Sequence, residues 1–347
     1  MNKLTDWIRR HQVLAFFIIT FAITWPVFIL VFFVFPGNPF INVLTGGPLG
    51  VFSPALAAML ISAIIDPRPK QSNSKPRWIA FWVSWLISWL IMTLFYWLVE
   101  KMELVPAIIV WGFFSLLPAW ILSNAFAKTP GIRKHFSTIL KPRGNLLWYL
   151  LALLIIPVMQ ILGIGITRLL GLSMGRSVIF GALRSRLAGL NPGQTVIVLA
   201  LIFLSGFLCS GGINEESGWR GFALPRLQRR YPVIIAIGFV WFFWALWHIP
   251  LYIGERMPTY WIIRLCTLFF FRDSVFLAWV YNRTKGSILA PALLHTSINT
   301  FETLLPFPTI TTILSEALAV FAILYDRMWK KLPSDHPAVY REPALDG

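Results

Sequence analysis

The sequence predicts an all-α fold: a polytopic transmembrane helical bundle of about ten spans (8–10), with both termini cytoplasmic. Three observations predict it. Of the 347 residues, 57% are hydrophobic, only 13% are charged, and the mean hydropathy is +0.71. The apolar residues fall into runs long enough to cross about 30 Å of hydrocarbon. Basic residues collect in alternate loops between those runs, the pattern that orients a chain in a bilayer.

The runs are Val13–Phe35, Gly47–Ile65, Trp78–Val99, Leu104–Phe126 and Leu147–Leu170. They continue with Thr195–Ser210, Pro232–Tyr252, Tyr260–Tyr281, Ser287–Leu305 and Thr309–Met328. The first is too long for a signal-peptide core and lacks a clear small-residue cleavage site, so it reads as a retained span. Cys209 and Cys266 lie in apolar runs and read as packing residues, giving no disulfide framework.

A net charge of +16 could suggest nucleic acid, but its distribution argues against that partner. Arg9 and Arg10, Lys134 and Arg143, Arg229 and Arg230, and Lys330 and Lys331 mark alternate loops that would share one face. That face meets a lipid bilayer with anionic headgroups. Arg176, Arg184 and Arg186 run against the pattern, since the ten-span arrangement puts them outside.

The chain divides into N-terminal scaffold helices (1–194), a core carrying the chemistry (195–331) and a Pro-rich, charged tail (332–347) that reads as disordered. The first half carries almost no ionisable residue within its spans. The second half holds Glu215 and Glu216 at a span edge, then His248 and His295 inside apolar sequence. Ionisable groups are costly in hydrocarbon, so this set is a functional-site hypothesis by default.

Local reading gives each residue a place. Gly211-Gly212 closes a span, and Asn214 is a plausible N-cap that puts Glu215 and Glu216 in a first helical turn. Glu216 and Arg220, four apart, can pair on one face, while Glu215 points about 100° away. Pro250 predicts a loosened helix just after His248. His295 and Asn299 share a helix face, and Glu302 lies near the same stripe. Straight spans would leave Glu215 and His248 on the order of 20 Å apart in depth, so one site needs the Glu215–Arg230 stretch to lie within the bilayer or the span ends to shift.

These elements resemble the signature of the CAAX-protease and bacteriocin-processing family, the type II CAAX prenyl endopeptidases and their bacterial relatives. Glu215-Glu216 with Arg220 matches E-E-x-x-x-R, and His295 with Asn299 matches H-x-x-x-N. Trp244 with His248 matches F-x-x-x-H with tryptophan in place of phenylalanine. The resemblance covers about Thr195–Leu305 and implies an intramembrane endopeptidase. By position it makes Glu215 the general base, has His248 bind and activate water, and sets His295 and Asn299 to stabilise the oxyanion. Glu216 and Arg220 become a supporting pair, with Trp244 and Glu302 behind them. The implied substrate is a membrane-bound or prenylated peptide or protein, and the implied location a prokaryotic cell membrane.

The chemistry is sufficient without a serine or cysteine nucleophile. Amide hydrolysis needs a base for water, donors for the developing oxyanion and a proton for the leaving amine. The preferred expectation needs no cofactor. A zinc version, with Glu215, His248 and His295 as ligands, stays open. Singly, each element also has a bland reading: an interfacial ion pair, a packed histidine, a polar interhelical clamp. Two other functions compete: a proton- or ion-coupled transporter, and a non-catalytic immunity or scaffold protein.

Overall fold

The computed structural model describes residues 3–37, 48–67, 75–174 and 187–342. Among these residues every regular element is a helix and no strand forms. Helices pair their backbone groups internally, which hydrocarbon requires of an open chain. The expected Arg176, Arg184 and Arg186 anomaly lies outside the described residues.

Helix α1 (Lys3–Arg10) leads into α2 (Gln12–Ile29), which a π turn extends to Val34. Then come α3 (Pro48–Ile65), α4 (Lys75–Leu98), α5 (Leu104–Phe114), α6 (Leu116–Ser123), α7 (Pro130–Leu140) and α8 (Leu147–Leu169). The second half has α9 (Pro192–Cys209), α10 (Ile213–Gly218), α11 (Leu224–Gln228), α12 (Val233–Gly254) and α13 (Thr259–Arg264). It closes with α14 (Phe270–Arg283), α15 (Leu289–Leu304) and α16 (Thr309–Tyr325).

Six stretches among the described residues are long and apolar enough to cross a membrane: Gln12–Val34, Lys75–Leu98, Leu104–Phe126, Leu147–Leu169, Pro192–Gln228 and Val233–Gly254. Leu49–Ile65 and Thr309–Tyr325 are shorter apolar helices. The remaining two expected spans, Tyr260–Tyr281 and Ser287–Leu305, are helical too, the first broken by a π turn at Leu265–Phe269. Outward faces are apolar: Trp78, Trp82, Leu86 and Leu90 of α4 are all exposed. This is the surface of a polytopic helical membrane bundle, whose solvent on that side is acyl chain.

One core runs through both halves of the chain, joining Phe16, Phe52 and Phe136 to Trp219 and Phe276. The scaffold helices therefore pack directly around the second half. Helix α14 is buried at every position from Arg272 to Tyr281. The tail, read from composition as disordered, is docked as far as Glu342. Ala338 is fully buried, its carbonyl accepts from Gln228 Nε2 at 3.1 Å, and Tyr340 N donates to the Pro225 carbonyl at 3.1 Å. Composition could not show this, because few backbone contacts to a preformed helix end hold the segment.

Candidate functional site

The site is built where α9 stops. Asn191 starts α9 with a capping box, and the helix ends at Cys209. Gly211 then takes φ +90, a left-handed backbone that glycine adopts without a Cβ penalty. The chain re-enters helix at α10, and its N-cap is Gly212 rather than the expected Asn214. Asn214 sits inside the helix, fully buried, and donates its Nδ2 to the Val51 carbonyl on α3 at 3.1 Å. Gly218 lets α3 come close: a Cβ there would lie 2.4 Å from Pro54 Cβ.

The two glutamates divide as their 100° separation predicts. Glu216 Oε1 accepts from Arg220 Nη1 at 2.9 Å and from His295 Nδ1 at 2.7 Å. Arg220 also donates to Ser274 Oγ at 3.2 Å and lays its guanidinium 4.6 Å from the Trp244 ring centre. Glu215 turns the other way. Its Oε2 accepts from Trp244 Nε1 at 2.7 Å, and among the described residues its Oε1 has no hydrogen-bond partner. Both carboxylates are buried.

Trp244 is the hub. Its carbonyl accepts from His248 Nδ1 at 2.8 Å, which fixes the tautomer and leaves Nε2 with a free lone pair. Its ring meets His248 edge to face at 5.6 Å and His295 edge to face at 5.3 Å. Helix α12 runs through Pro250 to Gly254 without the loosening expected after His248. Packing from neighbouring helices makes proline tolerable in a membrane span. Tyr252 stacks on the His248 ring and Phe270 packs against it, holding it in the bundle interior.

The depth conflict expected for straight spans is thereby resolved. Trp244 lies near the middle of α12, so its hydrogen bond sets Glu215 level with the middle of that helix, and α10 and α11 belong to the 37-residue stretch Pro192–Gln228. Glu215 and His248 thus share the neighbourhood of one indole.

His295 Nε2 and Asn299 Nδ2 converge on Gly211: a Cβ built there would lie 2.7 Å from each. The missing side chain leaves a space that both nitrogens face. Asn299 Nδ2 spends one hydrogen on the Ser210 carbonyl at 3.2 Å and keeps its second. Beside this pair lies a cavity of about 520 Å³, walled by Asn299, Ser210 and Cys209 and, opposite, by Met92, Trp111 and Phe114.

Glu302 is not part of this group. Arg272 Nη2 binds its Oε1 at 2.6 Å and also pairs with Asp273, forming a separate buried cluster. Arg272 and Asp273, adjacent in the chain, form a local ion pair. Among the described residues, no three His, Cys, Asp or Glu side chains are arranged to hold a metal ion. His295 Nδ1 donates to Glu216, which directs its Nε2 to the space beside Gly211.

The structure brings Glu215, His248 and His295 around Trp244 and sets Asn299 beside His295 at Gly211, whereas the sequence reading gave Gly211 no part in the site and did not single out Ser274 or Val51. A glycine pair directly after a span was the one available signal for Gly211. Ser274 and Val51 contribute through long-range contacts that carry no local signature.

Comparison with known proteins covers the same stretch of chain. Residues 193–301 match the family described as Type II CAAX prenyl endopeptidase Rce1-like. A CAAX prenyl protease 2 of Methanococcus maripaludis is 31% identical over 124 residues, covering 33% of this chain. The chain spans 46%, about half, of that relative's length. Residues 193–301, which hold Glu215, His248, His295 and Asn299, are thus similar to the Type II CAAX prenyl endopeptidase Rce1-like family.

Proposed function

We propose that this chain is an intramembrane endopeptidase that hydrolyses a peptide bond of a membrane-associated or lipidated, CAAX-like protein in a prokaryotic cell membrane. One observation carries the reading: a single indole, Trp244, touches Glu215, His248 and His295 at once, in the bundle interior. Side chains from α10, α12 and α15 would not meet there for packing alone, since burying polar groups costs free energy. The relative named above points to the same class of substrate.

Water sits between Glu215 Oε1 and His248 Nε2 in this reading. Glu215 takes one of its protons as the oxygen attacks the scissile carbonyl. The oxyanion forms in the space beside Gly211. There it accepts from the free N–H of Asn299 and from Nε2–H of a doubly protonated His295. Two carboxylates, Glu215 and Glu216, balance the Arg220 guanidinium and the His295 imidazolium, so the buried set is neutral. Glu215 then passes its proton to the leaving amine, and the C–N bond breaks. No metal enters these steps. The cavity of about 520 Å³ beside Asn299 admits the peptide from the membrane interior.

The test is cleavage of a lipidated C-terminal peptide by the purified protein in detergent. Wild type is expected to cut it, with and without chelator, and Glu215→Gln to leave it intact while folding normally. An intact substrate with wild type, or an active Glu215→Gln, would overturn the reading.

A further inference from the structure

At the end of the bundle where α1, α11 and the tail meet, five arginines surround a cavity of about 350 Å³: Arg9, Arg10, Arg226, Arg229 and Arg230. One carboxylate lines it, Glu342, and that is paired with Arg229. Among the described residues Arg10, Arg226 and Arg230 have no carboxylate partner. Arg226 is nevertheless fixed in place. Its Nε donates to Gln12 Oε1 at 2.8 Å, its Nη1 to the Phe222 carbonyl at 3.0 Å, and its guanidinium lies between the Phe222 and Tyr340 rings. Three of the five guanidiniums thus crowd here without a carboxylate of their own among the described residues, which favours an occupant that supplies an anion.

The floor tells what kind. It is apolar, with Phe17 stacked on Phe243 at 3.9 Å, flanked by Leu14 and Phe239. Leu14 is 50% exposed and Phe239 40% exposed on the outward faces of α2 and α12, so the floor opens sideways onto acyl chains. A soluble anion would use the guanidinium rim and leave the floor wet. A phospholipid uses both. Arginine also matches a phosphodiester by bidentate donation.

We propose that this cavity binds an anionic phospholipid, its phosphate among Arg10, Arg226 and Arg230 and an acyl chain along Phe17 and Phe243. The site is separate from Glu215 and does not depend on the endopeptidase reading.

The test uses the full chain in detergent, with native mass spectrometry and thermal shift as readouts. Phosphatidylglycerol is expected to bind and raise the midpoint, phosphatidylcholine to do neither at the same concentration, and millimolar inorganic phosphate to leave the lipid bound. Arg10 and Arg230 are exposed, so Arg10→Gln/Arg230→Gln spares the core and should weaken phosphatidylglycerol by about 30-fold. Lys128→Gln/Lys141→Gln, on another basic loop, should not. Equal binding of phosphatidylcholine would overturn the proposal. Displacement by phosphate would make the occupant a soluble anion, and equal loss in both double variants would reduce the effect to bulk charge.

Discussion

Trp244 Nε1 donates to Glu215 Oε2 across 2.7 Å, tying together residues 29 apart on two helices. Phenylalanine at 244 would keep the aromatic packing and lose the donor. Glu215 would then keep its place only by packing. Trp244→Phe is expected to lower kcat roughly 10- to 100-fold, the usual worth of a hydrogen bond to a charged group, with little change in KM. A kcat equal to wild type would show that the indole N–H does not position the base.

The two neighbouring glutamates should respond differently. Glu216 compensates both Arg220 and His295 in a sealed interior. Removing it leaves those charges unpaired, so Glu216→Ala is expected to cost about 3–5 kcal/mol of stability. Glu215→Gln keeps an acceptor for the Trp244 N–H and should melt near wild type while losing activity. Thermal melts of the two variants side by side check this.

Gly211→Ala should slow turnover strongly while leaving every proposed catalytic residue unsubstituted. The new Cβ would lie 2.7 Å from His295 Nε2 and from Asn299 Nδ2, at a backbone φ of +90. It fills the space assigned to the oxyanion. A loss of about 10²- to 10³-fold in kcat is expected, matching removal of an oxyanion donor. Retention of wild-type kcat would place the oxyanion elsewhere.

Much of this was legible in the residues themselves. Glu215, Glu216 and Arg220 carried their own geometry, because helical spacing fixes which side chains share a face. His295 and Asn299 did the same. What could not be read was depth and partnership. Nothing local to Trp244 says that its indole reaches Glu215, and Pro250 suggested a break that bundle packing suppresses. Asn214 looked like a cap by type, yet burial against α3 gave it a longer-range partner. The runs Tyr260–Tyr281 and Ser287–Leu305, read as spans from their apolar content, form helices whose π turn and buried polar groups keep them out of the set long and apolar enough to cross a membrane.

The Arg226 neighbourhood gives a pH prediction. Burial, with the nearby Arg226 charge, pushes His135 down to about 3 from an ordinary value near 6.5. The folded state thus resists protonation that the unfolded chain accepts. The neutral ring contributes stability fully above pH 6.5, and this is lost as pH falls from there toward about 3. The thermal midpoint of wild type should therefore drop more steeply over that window than that of His135→Gln. Parallel curves would show that His135 does not titrate with unfolding.

The most direct measurement is a double-mutant cycle on kcat for peptide cleavage, pairing Glu215→Gln with His248→Gln. If both groups act on one water, the double variant should be about as slow as the worse single variant, as expected of residues that work as a unit. Losses that multiply would mean that the carboxylate and the imidazole act on separate events, contradicting the single site proposed for this chain.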